Sequence, residues 1–434
     1  MLSVGLPFGW ASPSIPHLLQ GDSPVHLTLE QSAWVASLLT LGGTFGSLSC
    51  VFIVNAIGRK RTMLLMALPM TLSWLMIGFA TTPWELYAAR FISGVAVGNS
   101  YVATSMYIGE ISPARIRGTL GTMLTVASKT GALVGMTIGP FLSVRDAAFV
   151  SLSLPILFFL SFLRSPESPY HLMRCGRRED AIRSLTQLRG KSDVLEEADI
   201  IEMSVKADLA NSAGLSELLF VPGNRKALIL LIGLITIQQC SGSLVVLSYA
   251  QMIFDAAKID FEGKYLTIIL GVVQVVSTIA STTVVDRAGR RPILMFSTFG
   301  AAVATAMVGC YFYLDYIDND TTNLGWLPAA GALLYIIMYC FGLAGLPFTI
   351  MGEVFPTNVK AIGVPIVMAT CNLFAFSVTR SYQEIVDNFG IHVAFWLFTC
   401  LSLLGLVFIF VYVPETKGKT LQQIQKELHG KSTV

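Results

Sequence analysis

The chain is short of charge. Of its 434 residues 13% are Asp, Glu, Lys or Arg, about half the share usual in a soluble domain. Its 27 acids and 29 bases leave a formal net charge of +2, too small an excess to imply a nucleic-acid partner. Cysteine is sparse too: six of seven lie in apolar stretches and the seventh, Cys175, lies between them, a placement that suggests no extracellular disulfide framework. No metal-ligand cluster, nucleophile motif or phosphate-cradling glycine loop is found, so neither an enzyme nor a metal or cofactor is implied. The apolar N-terminus has no basic leader and no small-residue cleavage site, which argues against a secretory signal.

What the chain has instead is hydrocarbon, 53% of residues. Stretches of about 20 apolar residues, the length that crosses a roughly 30 Å lipid core, recur near 33–56, 63–80, 86–108, 119–141, 147–163, 226–254, 265–285, 292–314, 326–351, 361–380 and 390–413. A twelfth, MLSVGLPFGWASPSIPHLL, has few apolar residues ahead of Gly9-Trp10 and reads as the second half of a truncated first span. An all-α integral membrane protein is therefore expected, with the lipid bilayer as its solvent.

Lys and Arg concentrate in cytosolic loops. With the start inside, 23 of the 29 fall on the inner side and four in outer loops, which places both termini in the cytosol of a multi-pass cell-membrane protein. Asn319-Asp320-Thr321, a glycosylation pattern, then falls in an outer loop.

Three signatures occur twice in the same order. NAIGRKR (55–61) pairs with DRAGRRP (286–292), GEISPARIRG (109–118) with GEVFPTNVKAIG (352–363), and SPESPY (165–170) with VPETKG (413–418), at offsets of about 231, 243 and 248 residues. The repetition implies two six-span bundles related by an axis along the membrane normal: residues 1–163 and 226–413, joined by cytosolic linker helices over 164–225 and followed by a tail, 414–434. In REDAIRSLTQLRG and EEADIIEMSVKADL of the joiner, the spacing predicts amphipathic helices.

The same signatures carry a candidate gate. Arg59 and Lys60, and Arg290 and Arg291, sit in tight inner turns within reach of Glu110 and Glu353. Arg117, Glu167, Asp286, Lys360 and Glu415 complete the paired network. Opposite charges held together there would close the cytosolic side, and ion pairs that form in one global arrangement and break in another bias the two by a few kcal/mol.

At these residues the chain resembles the sugar porter family of the major facilitator superfamily. GRK, PARIRG, PESP, QQ-x-SG, DRAGRR, GEVFP and PETKG are its signposts, and LTLEQSAWVASLLTLGG is most similar to the insect facilitated trehalose transporters within it. The resemblance implies two six-helix bundles rocking around a central site for a small solute, a sugar. Gln238 and Gln239 would bond to that solute or to cavity water, with helix-to-helix bonding as the alternative. On a continuous helix Gln238, Gly242, Val245 and Tyr249 share the face that would line the cavity.

The pocket departs from the family more than the gate does. Ser243 and Leu244 follow Gly242 where an x-Asn pair is usual, Thr125 stands for a glutamine, Phe348 for a tryptophan and Cys340 for a glutamate, while the span-8 carboxamide remains as Gln274. Lys129 is an addition: it shares a helical face with Gly118, Thr122 and Thr125, roughly 16 Å above the inner boundary at 1.5 Å per residue. A charge at that depth is costly and usually functional. Facilitative sugar transport, of trehalose or a hexose, leads; a transport-poor sensor and a carrier of another polar or anionic solute are the alternatives. Span 1 has no acid where proton-coupled relatives carry an aspartate, which favours uniport.

Overall fold

A computed structural model describes residues 1–20, 25–191, 193–210, 215–257, 261–417, 419 and 423; the side chains of Arg117, Asp286 and Arg287 lie outside the described set. Among the described residues the chain is all helix and loop. Helices α1 (Leu2–Leu19), α2 (Leu29–Ile57), α3 (Arg59–Phe79), α4 (Pro83–Ile111), α5 (Ala114–Ile138) and α6 (Val144–Phe162) form the first half. Four short helices follow: α7 (Pro169–Arg174), α8 (Arg178–Arg189), α9 (Leu195–Ala210) and α10 (Leu215–Phe220). Leu172, Ala181, Leu185, Ala198 and Ile201 give α7, α8 and α9 a small apolar core of their own, while Leu218 of α10 joins the main core.

The second half differs in continuity. Its first span is three pieces, α11 (Pro222–Cys240), α12 (Ser243–Ser248) and α13 (Ala250–Asp255). Then come α14 (Gly263–Ala288) and α15 (Arg290–Tyr316), a divided fourth span of α16 (Trp326–Phe341) and α17 (Leu346–Val354), and finally α18 (Thr357–Phe389) and α19 (Ile391–Tyr412). Among the described residues, nine of these helical stretches are apolar and long enough to cross a membrane by composition. Outside those nine, α4 and α5 carry Gly, Ser and Thr along their length. On α19, Leu404, Val407, Phe410 and Val411 stand outward while Ile409 is fully buried, the polarity a lipid-solvated helix requires.

Small residues set the closest packing. Gly42 and Gly46 of α2 oppose Gly94 and Gly98 of α4, where any added Cβ would fall 2.0–2.3 Å from a backbone oxygen of the partner. Backbones approach this closely only without side chains between them. Helix α1 enters beside Ser128 and Gly131 of α5, so its first residues lie about halfway along that helix. Arg90 is fully buried: it donates to the carbonyls of Val35 (2.9 Å) and Pro7 (2.7 Å) and packs over Trp10.

Candidate functional site

Each half carries a clasp at the end of the bundle where the arginine turns lie. Helices α2 and α3 are joined by Gly58 alone, and α14 and α15 by Gly289 alone, with φ of 94° and 92°. Only glycine adopts that backbone readily, and the turn swings the next arginine back across its half. Arg59 donates to Glu110 from Nη2 at 2.8 Å and Nε at 3.0 Å; Arg290 does the same to Glu353 at 3.0 and 3.3 Å. The duplicated signatures therefore fold into duplicated geometry.

The third member of each clasp has a role that its charge alone did not disclose. Glu167 accepts from the backbone N–H of Arg59 (3.0 Å) and Lys60 (2.9 Å), the exposed first amides of α3. Glu415 accepts from those of Arg290 (3.0 Å) and Arg291 (3.1 Å) in α15. A carboxylate there satisfies orphan donors and complements the positive helix end. Burial works against the charge of Glu415, but the amides of Lys417, Arg290 and Arg291 outweigh it and hold the carboxyl below its usual range.

The clasps differ in completeness. In the first, Glu110 also accepts from Ser168 Oγ, and Arg59 Nη1 donates to His171 Nδ1 at 3.0 Å. Burial, then the neighbouring Arg59, lowers the His171 pKa, which keeps that nitrogen available as an acceptor. In the second, Glu353 Oε2 and Arg291 Nε are buried with no hydrogen-bond partner among the described residues. Arg291 instead bonds the Phe410 carbonyl and lies 5.4 Å from the Phe410 ring centroid, and Lys360 bonds the Gly352 carbonyl at 3.2 Å. Arg117 and Asp286, also expected in the network, lie outside the described side chains.

Between the halves runs a cleft closed at the far end. There Arg380 reaches Glu30 (3.6 Å) and stacks over Trp34, and Trp34 meets Phe376. Nearer the middle Asn372 donates to Ser47, and Gly271 of α14 packs on Leu133 and Met136 of α5. Toward the clasps contact ceases: a Cβ at Gly109, Gly118, Gly121 or Gly345 would meet no described atom within 4 Å, and Thr125 and Thr349 are exposed. Gly118, Thr122, Thr125 and Lys129 lie on the α5 face opposite the outward Ile116 and Met123, so this opening is the cleft and not the lipid side. Arg59–Glu110 and Arg290–Glu353 are both formed with this end open, because each pair lies within its own half, so in this conformation they do not close that side as expected.

Lys129 is half-buried at the head of the opening, Gln274 is fully buried on α14, and Phe348 is half-buried on α17. Gln238 and Gln239 make helix-to-helix bonds in this conformation. Gln238 Nε2 donates to the Leu343 carbonyl and, at 3.3 Å, to that of Ala344, both in the break between α16 and α17, where carbonyls lack helical donors. Gln239 Nε2 donates to Gln238 Oε1 (3.3 Å) and Cys371 Sγ (3.1 Å).

The shared helical face expected for Gln238, Gly242, Val245 and Tyr249 is corrected by the structure. Gly242 adopts φ of 89° and Tyr249 ends the next short helix, so the 3.6-residue register is lost twice. Tyr249 is buried against Tyr382, ring centroids 4.9 Å apart, with its hydroxyl unpaired among the described residues. Sequence reasoning missed Tyr101, which bonds Ser128, and Tyr335, which bonds Ser241 at 2.7 Å; polar tyrosines in apolar spans were the available signal. Asn319 is exposed in the loop after α15.

This arrangement, two helical halves with repeated clasps about a cleft, is the major facilitator fold. The chain belongs to the family described as "Sugar (and other) transporter", which matches residues 14–428. It is 32% identical to the facilitated trehalose transporter Tret1 of Polypedilum vanderplanki, over 99% of this chain and 86% of that one. With Tret1 of Bombyx mori it shares 31% identity over 98% and 84%. Against Tret1 of Drosophila virilis, 32% identical, it spans about half the relative's length, 48%. The inward open conformation of the xylose transporter XylE from E. coli superposes with a TM-score of 0.81 at 22% identity, covering 98% of both chains. XylE bound to 6-bromo-6-deoxy-D-glucose gives 0.77 at 22%, covering 98% of this chain and 97% of that one; at such identity the likeness speaks for the fold alone.

Proposed function

We propose that the chain carries a sugar, trehalose or a hexose, down its own gradient across the cell membrane by alternating access. The observation that carries the reading is the pairing of a family match along nearly the whole chain with a cleft that is closed at one end and open at the clasp end. The clasp end faces the cytosol, as its excess of Lys and Arg requires, and any glycan sits at Asn319. Tyrosine hydroxyls, Gln274, Thr125 and the ring of Phe348 offer a sugar hydrogen bonds and a stacking face. Exchange of the open end would proceed by breaking the clasps' bonds and remaking contacts across the cytosolic side.

The test is uptake of labelled trehalose and glucose into vesicles holding the purified chain. Saturable entry that stops at equal concentrations and ignores a proton ionophore is expected. Binding without entry would establish the sensor reading in its place.

A further inference from the structure

Resting on the carrier reading, we propose that the head of the cleft is a subsite for an anionic group, held by Lys129 and Gln274, which extends the solutes carried from neutral sugars to sugar-like polyols bearing one carboxylate or phosphate.

The two side chains lie at one depth. Gly271 of α14 faces Leu133 and Met136 of α5, and the helices run in opposite directions. One turn toward the clasps from that contact reaches Lys129 on α5 and Gln274 on α14. Cys340 of α16 closes the third side, its Sγ 3.8 Å from the backbone carbonyl of Gln274.

Neither side chain has its complement in the protein. Lys129 forms no ion pair among the described residues, and the sequence leaves no acid at its depth: α1, α5, α11, α12 and α16 contain no Asp or Glu, and the first in α14 is Asp286 at its far end. A bare ammonium at mid-membrane is costly. Gln274 is wholly buried, and both its Oε1 and Nε2 are unpaired among the described residues, where each lost bond costs the full desolvation of the group. An anion that accepts from Lys129 Nζ and Gln274 Nε2, with a neighbouring hydroxyl that donates to Gln274 Oε1, satisfies all three. The exposed Thr125 one turn below and the open space at Gly118 and Gly121 give such a solute its way in.

The test compares gluconate, glucose 6-phosphate and glucose on the full chain, wild type and Lys129→Met, by competitive binding, by uptake into vesicles and by thermal shift; Lys129→Arg preserves the charge. Either acid should bind about ten times more tightly than glucose. The acid-to-glucose affinity ratio should fall about tenfold to a hundredfold in Lys129→Met, the range for a charge-assisted bond, and recover in Lys129→Arg. Preference for gluconate or for the phosphate tells which anion the site takes. Wild type that binds glucose and neither acid, or an unchanged ratio in Lys129→Met, overturns the subsite. If nothing is transported the carrier reading fails, and thermal shift still decides: stabilisation by an acid that Lys129→Met abolishes supports the subsite, and its absence in wild type overturns it.

Discussion

The two halves repeat each other's chemistry but not each other's mechanics. In the first, α4 runs unbroken from Pro83 to Ile111 and its clasp is filled by Ser168 and His171. In the second, the corresponding span is cut between Phe341 and Leu346, the first span of that half is cut at Gly242 and Tyr249, and the clasp leaves Glu353 Oε2 unpaired among the described residues. Helical hydrogen bonds forgone at a break lower the free energy of local opening. The first half is thus built as the frame and the second as the part that changes shape, with Gln238 the tie that holds its two broken spans together.

The largest effect should come from emptying the filled clasp. Arg59→Ala strands Glu110, 17% exposed, beside Ser168; breaking one side of a buried pair costs about 3 kcal/mol or more, seen as a large fall in melting temperature. Gln238→Ala removes the donors to the Leu343 and Ala344 carbonyls and should cost about 2 kcal/mol. Stability lost with solute affinity kept assigns Gln238 to the tie, whereas affinity lost in a stable protein assigns it to the solute. Arg290→Ala should cost only about 1 kcal/mol, because its pair is more open and Glu353 is already half-unpaired. It should nonetheless slow solute exchange more than it weakens equilibrium binding, and the reverse would remove Arg290 from the gate.

The smallest effect separates the clasps by pH. His171 has a folded-state pKa below its unfolded value, through burial and then Arg59, so the unfolded chain takes up its proton first. The stability it supports is full above about pH 6.5 and is lost as pH falls through the lowered folded value. Melting temperature against pH should show this acid limb in wild type and in Arg290→Ala, and His171→Gln should flatten it.

Much of this was legible in the sequence where physics acts through spacing. Apolar length disclosed the spans, and the repeated Gly-Arg and Gly-Glu signatures disclosed the partners Arg59 with Glu110 and Arg290 with Glu353. The breaks were not, because the stretches near 226–254 and 326–351 are each apolar and long enough to pass for one continuous span, and hydropathy is blind to backbone direction. Gly242, Gly342, Gly345 and Pro347 were local signs. Once the helix breaks, the face counted from Gln238 to Tyr249 ceases to exist, and a carbonyl freed in the other broken span becomes a partner for Gln238. The amide-capping roles of Glu167 and Glu415 were hidden for a related reason: charge suggests a charged partner, while the helix N-termini they hold have none in the sequence.

Native-state hydrogen exchange of the ligand-free chain in lipid nanodiscs tests the frame-and-mover account most directly. Amides across Gln239–Ser248 and Phe341–Phe348 should exchange at least about tenfold faster than those of Gly98–Tyr107 in α4, a difference of about 1.4 kcal/mol in opening free energy. Equal protection in the two halves, or faster exchange in α4, would contradict it.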